Sequence, residues 1–571
     1  MDLGRSAEVE MAFGRDSLFL RVVGRPTNIF MLTCANLRTR HGLLKMHICS
    51  TASPNGDHVA FVKNSLICRQ STRKRTPAIT GGRKTFEERD INSIKWAPNG
   101  YHVLVTSNKG VKVLDIDSFE DLAIVGNGSG GLGKIASADF LGNDRLLVTW
   151  EFGKAKLWDL KTGRACDLPD VKTTCDGRVW QIRPGNMRPA LLALLCRNGA
   201  DDQLVLHFST LDQVPSSIKL ATTDAQSISW SPDGRWLAIL DTPSVIPNLH
   251  IYTPDGHLFR SWPSQKNVDV ELGVKSIEWS PDGRILALAC HDGRVELLNS
   301  RTFSQLATIE HHTTIAQSSL PVSEQAPVWQ ERVSSTNERS YTFAPQPVCP
   351  PLSRTKPTSE PEELGVAELC FSCDGSYLAT RDCRMLNTVW IWDTATLAAH
   401  SVLLQHSNVR KLTWHPTRAE TLLVDCAEGI AHVFDVTSSE PPVAHHTGAA
   451  ASARLSWILT ASNDHPIIMI TQKTQFRLFY PEGQDEDQET PQLREQAGNA
   501  AFEEGASEDS LFEVLSGRKP LPPKTAPSYT ELVDMDVETE DTIEGGLDDT
   551  FREKRKPLAE ELDPLDDSEI F

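Results

Sequence analysis

The chain has 571 residues, too many for one ordinary domain and enough for one large repeat ring with appendages. Its formal charge is −19, and residues 481–571 account for it: they hold 27 Asp or Glu against 8 Lys or Arg, while residues 1–480 carry 49 of each sign. The body therefore lacks the net positive field expected of a nucleic-acid binder. No apolar run approaches the roughly 20 residues of a membrane helix and no secretory leader is visible, so neither membrane insertion nor export is expected.

Twelve cysteines are scattered without a framework of pairs, which points to a reduced, intracellular chain. Cys370 and Cys373 form a C-x-x-C, but no second pair or neighbouring His completes a zinc set. They are read as buried thiols on and just after a strand. No metal and no cofactor is expected.

In chain order, residues 1–44 form an extension. Leu18-Phe19-Leu20 and Ile29-Phe30 are apolar enough for strands, and Asn28–Ala35 is a candidate for the strand that closes a ring. The acids Asp2, Glu8, Glu10 and Asp16 argue against an acid-poor transit peptide. From residue 45 a repeat begins. One phase position is occupied in turn by Ala52, Trp96, Phe140, Ile182, Trp230, Trp279, Phe371, Trp414 and Trp457, at spacings of 44, 44, 42, 48, 49, 92, 43 and 43. Turn chemistry recurs with it: Pro54-Asn55-Gly56, Pro98-Asn99-Gly100, Pro232-Asp233-Gly234, Pro281-Asp282-Gly283 and Cys373-Asp374-Gly375. Third strands close on Leu114-Asp115, Trp158-Asp159, Trp392-Asp393 and Phe434-Asp435.

The clearest copy runs from Gly273 to His312. SIEW alternates, ILALAC is a buried run, and VELLN and QLATIE supply two more strands, separated by turns at Ser280–Gly283 and His291–Arg294. Four short strands cannot bury both faces alone, so the unit must stack on copies of itself. A period near 40–45 residues is that of WD40 propeller blades. The expected fold is an all-β WD40-type β-propeller of about nine repeat units over 45–480, in one ring. Residues near 28–35 or the final strands would complete the last blade.

Three segments depart from the repeat. The loop containing Arg69, Arg73, Lys74 and Arg75 is basic and is read as solvated. Gly126–Gly133 is glycine-rich but has no helix after it, so it is read as a turn and not a phosphate cradle. Residues 313–364 are an insertion with eight prolines, in which Val328–Val333 is apolar enough for a local strand. After the ring, residues 481–571 combine few apolar residues with high charge and are expected to be disordered and dispensable for folding. Two islands stand out there: Ser510–Leu515, a candidate amphipathic helix, and the basic run Arg552–Lys556.

Catalytic signatures are missing: no G-x-x-x-x-G-K-[ST], no G-x-S-x-G, no H-E-x-x-H. His311-His312 and His445-His446 fall at blade ends, as structural histidines of the repeat do. Function therefore points to binding. Trp96, Trp230, Trp279, Phe371, Trp414, Trp457, Gly283, Trp392 and Asp393 are read as structural repeat residues. Asp241, Lys275, Arg381 and Asp382 lie near strand ends and are candidates for meeting a partner, with blade-to-blade bonding as the alternative.

Several runs sharpen this reading: Leu272–Pro281, Asp292–Val295, Ala238–Thr242 with Leu249–Tyr252, and Tyr377–Asp382 leading into Asn387–Asp393. Over about 45–480, including where its insertion falls, the chain resembles the WD repeat-containing protein 8 family of centrosomal and spindle-pole proteins, in a fungal-type member. The resemblance implies a non-enzymatic adaptor in the cytoplasm and cytoskeleton, at the spindle pole body or centrosome. It implies binding to a coiled-coil microtubule-anchoring protein, tethering of microtubule minus ends, and a minus-end-directed kinesin as third partner. Rival scaffolds remain. A ubiquitin-ligase receptor would carry W-D-x-R, where this chain has Trp158-Asp-Leu-Lys161 and Trp392-Asp-Thr-Ala395; a phosphoinositide-binding propeller would carry paired arginines of the F-R-R-G type, absent here. A nine-bladed translation-initiation scaffold stays open.

Overall fold

Two-residue periodicity, with Gly or Asx at each break, produces strands of about four to eight residues joined by tight turns. In a computed structural model the described residues are 9–14, 17–22, 29–31 and 50–482, apart from 64–65, 73–83, 86–90, 128–132, 174, 176–177, 186–189, 210–213, 264–272, 317–325, 354–363, 461–464 and 473–475. The expected acidic tail, with both of its islands, thus lies almost wholly outside them, as do Arg73, Lys74 and Arg75. The described residues form nine blades, each built on four antiparallel strands, in chain order over 50–85, 91–126, 135–168, 180–219, 227–262, 274–310, 366–404, 411–446 and 454–479, the last completed from upstream. Upstream, Val9–Gly14 and Ser17–Val22 pair as a hairpin; only the second of these strands was legible from composition.

Closure is by strand exchange between the chain's two ends. Ile29–Met31 pairs antiparallel with Phe476–Phe479 and becomes the fourth strand of blade nine. Blade nine then packs on blade one: Phe61 meets Phe476 at 5.1 Å between ring centroids, and the Tyr480 hydroxyl donates to the Thr72 carbonyl at 2.8 Å. A closed ring leaves no blade face uncovered.

The first strands of adjacent blades approach one another, so they form the inner wall. The phase residue ends each of these strands, except in blade nine, where Trp457 is followed by Ile458. In three blades its indole pins the neighbour: Trp96 donates to the Thr51 carbonyl (2.9 Å), Trp414 to Cys370 (3.0 Å) and Trp457 to Thr413 (3.0 Å). Each such bond contributes about 1 kcal/mol net, and the ring burial beside it contributes more. The core is not central. It is a series of layers between blades, such as Ala287, Ala289, Val295 and Leu297 of blade six against Phe371, Leu378, Trp390 and Val402 of blade seven.

The turns explain the sequence signature. In Ser280–Gly283, the Ser280 hydroxyl donates to Asp282 Oδ1 (2.6 Å) and accepts the Ile285 N–H (2.9 Å), while Gly283 adopts φ +70°. At the other turn of a blade, the aspartate of Trp392-Asp393 accepts the N–H groups of Ala395 (2.7 Å) and Thr396 (3.2 Å). Asp115, Asp159, Asn299 and Asp435 do the same in their blades. An Asx side chain that holds the backbone two and three residues on makes a rigid turn without help from the sheet.

Blade seven is wider than the rest. Within the insertion, Val328–Val333 pairs in parallel with Ala398–Leu404 and antiparallel with Arg339–Phe343, giving a six-stranded sheet. Its hairpin is fastened by a buried polar cluster. Glu331 is paired with Arg339 (3.2 Å) and accepts the His406 N–H (2.7 Å); Arg339 also reaches Glu428 (3.2 Å), and Tyr341 donates to Gln405 (2.7 Å). Part of the Pro-rich insertion is thus built into the ring.

Candidate partner-binding surface

Three candidates lie at one end of the blades and are consumed there by the fold. Asp241 is 1% exposed and accepts the N–H groups of Thr223 (2.7 Å), Asp224 (2.8 Å) and Thr242 (2.8 Å). Asp382 is fully buried and accepts the Arg384 N–H (2.7 Å) and its Nε (3.0 Å) and Nη2 (2.6 Å). Beside it, His311 Nδ1–H donates to the Gly293 carbonyl (3.1 Å) and Nε2 meets the Thr380 hydroxyl (2.8 Å), which also accepts from the Trp392 indole (2.9 Å). Burial holds the His311 imidazole below its usual pKa, so it joins this chain of bonds neutral. Arg381 is 8% exposed and lies across the strand pair from Glu368, whose carboxyl is pushed up by burial against the pull of Arg381 and Lys411.

Lys275 is half-buried and donates to the Leu364 carbonyl (2.9 Å), joining blade six to the start of blade seven. The four candidates sit on three consecutive blades and share no outward face. Among the described residues, no group of His, Cys, Asp and Glu is arranged to hold a metal ion.

The opposite end, at the turns between first and second and between third and fourth strands, presents something the sequence reading missed. In blades two, five, six and seven the fourth strand carries a one-residue bulge against the third, at Leu122, Phe259, Leu306 and His400. A bulge breaks the in–out alternation and turns one side chain outward. Leu122, Phe259 and Leu306 are 48%, 51% and 43% exposed. In blade seven the bulge residue His400 rests on Tyr377 (5.3 Å); in blade five Phe259 rests on Trp236 (4.5 Å).

The boundary of blades five and six adds a third ring. Phe303 is 5.3 Å from Trp236 and 6.0 Å from Phe259, in a turn where it takes φ +54°. Exposed arginines surround these rings. Arg235 and Arg284 pair with Asp233 (3.4 Å) and Asp282 (3.2 Å) of their own turns. Arg260 donates to the Thr302 carbonyl, beside Arg301. Neither Arg260 nor Arg301 meets a carboxylate among the described residues. The signal that marks this place in the sequence is an apolar residue one step out of register after the third-strand turn.

With this geometry in hand, the relatives can be placed. Residues 258–320 match the family model for the WD40 domain of anaphase-promoting complex subunit 4. The fold is a WD40-type β-propeller. An uncharacterized WD repeat-containing protein of Schizosaccharomyces pombe is 29% identical over 340 residues, 58% of this chain and 66% of that protein, just under two thirds of its length. The mouse WD repeat-containing protein WRAP73 is 29% identical over 355 residues, 57% of this chain and 72% of that one. A solved eukaryotic initiation factor structure is similar at 10% identity and TM-score 0.46, covering 77% of this chain and 95% of the other. The family-model match covers the fourth strand of blade five and all of blade six, and so includes Phe259 and Phe303 but not Trp236.

Proposed function

We propose that this WD-repeat protein is a non-enzymatic adaptor of the spindle pole or centrosome, which holds a coiled-coil anchoring protein and helps tether microtubule minus ends, with a minus-end-directed kinesin as third partner. The observation that carries the reading is the run Tyr377–Asp382 followed by Asn387–Asp393, in the repeat directly after an insertion, where the resembling spindle-pole family has the same strand pair. The WD-repeat relatives from fission yeast and mouse agree with a propeller found in both fungi and animals. The way the polar groups are used supports the adaptor character. Asp241, Asp382 and Glu331 are each engaged in holding a turn or a neighbouring blade, and although His311 Nε2 meets the Thr380 hydroxyl, both groups are buried and the hydroxyl also takes the Trp392 indole N–H, so no substrate reaches the pair. Fluorescent tagging of the full chain through mitosis tests the reading: two polar foci are expected, and diffuse signal throughout division sinks it.

A further inference from the structure

We propose that the rim at the boundary of blades five and six is a docking site for an acidic amphipathic α-helix of a protein partner. This deepens the adaptor reading and rests on it, since one helix of a coiled coil is such a ligand. Three observations carry the proposal. Trp236, Phe259 and Phe303 converge from three separate segments within 4.5–6.0 Å, and Phe259 stays 51% exposed although it touches both other rings. The bulge that lifts Phe259 out of register also carries Arg260 across to the next blade's turn, beside Arg301. Of the acids of this rim, Asp233 and Asp282 already hold Arg235 and Arg284 and Asp255 meets His257, so Arg260 and Arg301 leave the surplus charge at the rings positive.

Apolar anchors flanked by guanidinium groups that meet no carboxylate among the described residues are complementary to a helix with a leucine ridge bordered by Glu or Asp. Leu306, 43% exposed at the matching bulge of blade six, extends the apolar surface onto the adjacent blade. Phe259 and Leu306 supply the contact area, with Trp236 and the buried Phe303 backing Phe259, and the arginines supply orientation and salt-sensitive association.

The experiment uses the full chain and a fluorescein-labelled peptide of about 20 residues, long enough to be helical alone, with leucines at helical spacing and glutamates on both flanks. Anisotropy should report binding that weakens as salt is raised, with the lysine-for-glutamate version of the peptide not binding. Arg260→Glu with Arg301→Glu should reduce affinity at least about tenfold, and Phe259→Ser should do the same, in protein with an unchanged thermal melt. Equal binding of the basic peptide, or unchanged affinity in the folded double variant, overturns the proposal. Should Phe259→Ser fail to fold, Leu306→Ser provides the apolar arm, and its unchanged affinity counts equally against the site. Because tagged wild-type chain reports pole localisation separately, loss of the rim with polar foci intact removes this site alone, whereas absent foci remove the adaptor reading.

Discussion

Two ends of the same blades use their polar residues in opposite ways. At the end where second strands finish, Asp241, Asp382 and Asp425 each lie eleven residues beyond a phase marker, and all three are buried. They recur because they do the same work in three blades: Asp425 accepts the Ala427 N–H (2.9 Å) and pairs with Arg410, which reaches the Ala453 carbonyl of the next blade. At the other end, Arg260 and Arg301 are exposed, and the turn position of Arg301 holds Lys161 in blade three but Asp117, Ala395 and Thr437 in blades two, seven and eight, so its charge is not kept around the ring. A polar residue kept in phase with the repeat is held by the fold. One that breaks phase is free to face a partner.

The sharpest way to break this comparison is at Asp382. Removing one member of a buried ion pair strands the other and typically costs about 3–5 kcal/mol. Arg384 is half exposed and can rehydrate, so Asp382→Ala should lie at the low end, about 3 kcal/mol in denaturant unfolding. Arg381→Glu is likewise expected to act on folding, since its side chain is buried beside Glu368. A stable Asp382→Ala protein that loses its partner would reverse the assignment of the two ends.

Acid should separate blade eight from its neighbours next. Where blade six has Ser280, blade eight has His415, fully buried, whose Nδ1 accepts the N–H groups of Thr417 (3.3 Å) and Arg418 (3.1 Å). Burial, with Arg418 adding to it, pulls the His415 pKa down to about 4. The sign follows directly. Above about pH 6.5 the imidazole is neutral in folded and unfolded chains alike, while between about 6.5 and 4 only the unfolded chain binds the proton. Stability is therefore full at neutral pH and falls as pH drops, by about 2 kcal/mol from this group between pH 7 and 5. His415→Ser, which restores the hydroxyl used in blade six, should flatten the profile; an unchanged slope would leave the decline to His432, also pulled down to about 4 by burial.

Much of the ring was legible because the turns are local chemistry. Ser-Pro-Asp-Gly and the strand-ending aspartate each satisfy their own backbone, so they mark blade boundaries without reference to tertiary contacts. The residues missed are those whose meaning is non-local. Val328–Val333 reads as a strand, but its parallel pairing with Ala398–Leu404 depends on a return over the blade's outer edge that no short pattern encodes. Phe259 reads as one more apolar residue of a strand until the bulge is seen. Asp241 and Asp382 were misleading for a different reason: they were taken singly, when their shared phase with Asp425 was the informative property.

Gly283 offers a smaller test of the same idea. It repeats in phase, takes φ +70°, and a Cβ placed on it would meet nothing within 4 Å. Gly283→Val should thus cost backbone strain alone, on the order of 1–2 kcal/mol. Gly365, at φ +83°, would drive a Cβ to 2.3 Å from the Cys290 carbonyl oxygen of blade six, so even Gly365→Ala should cost more. A larger loss at Gly283 would mean that the turn is packed by something other than its own backbone.

The smallest expected effect is the most informative about the rim. Arg260→Glu and Arg301→Glu each change an exposed side chain, and exposed substitutions away from caps, cores and ion-pair networks usually shift stability by less than about 0.5 kcal/mol. Arg260 gives up one hydrogen bond to the Thr302 carbonyl, on a surface where water replaces it. Arg301 gives up no ion pair recorded among the described residues. Unfolding free energies within that margin, measured beside Asp382→Ala in the same denaturant series, are the expected result. A loss of 2 kcal/mol or more, roughly the scale of a buried ionic contact, would show that the rim arginines are also held by the fold, and the contrast between the two ends would disappear.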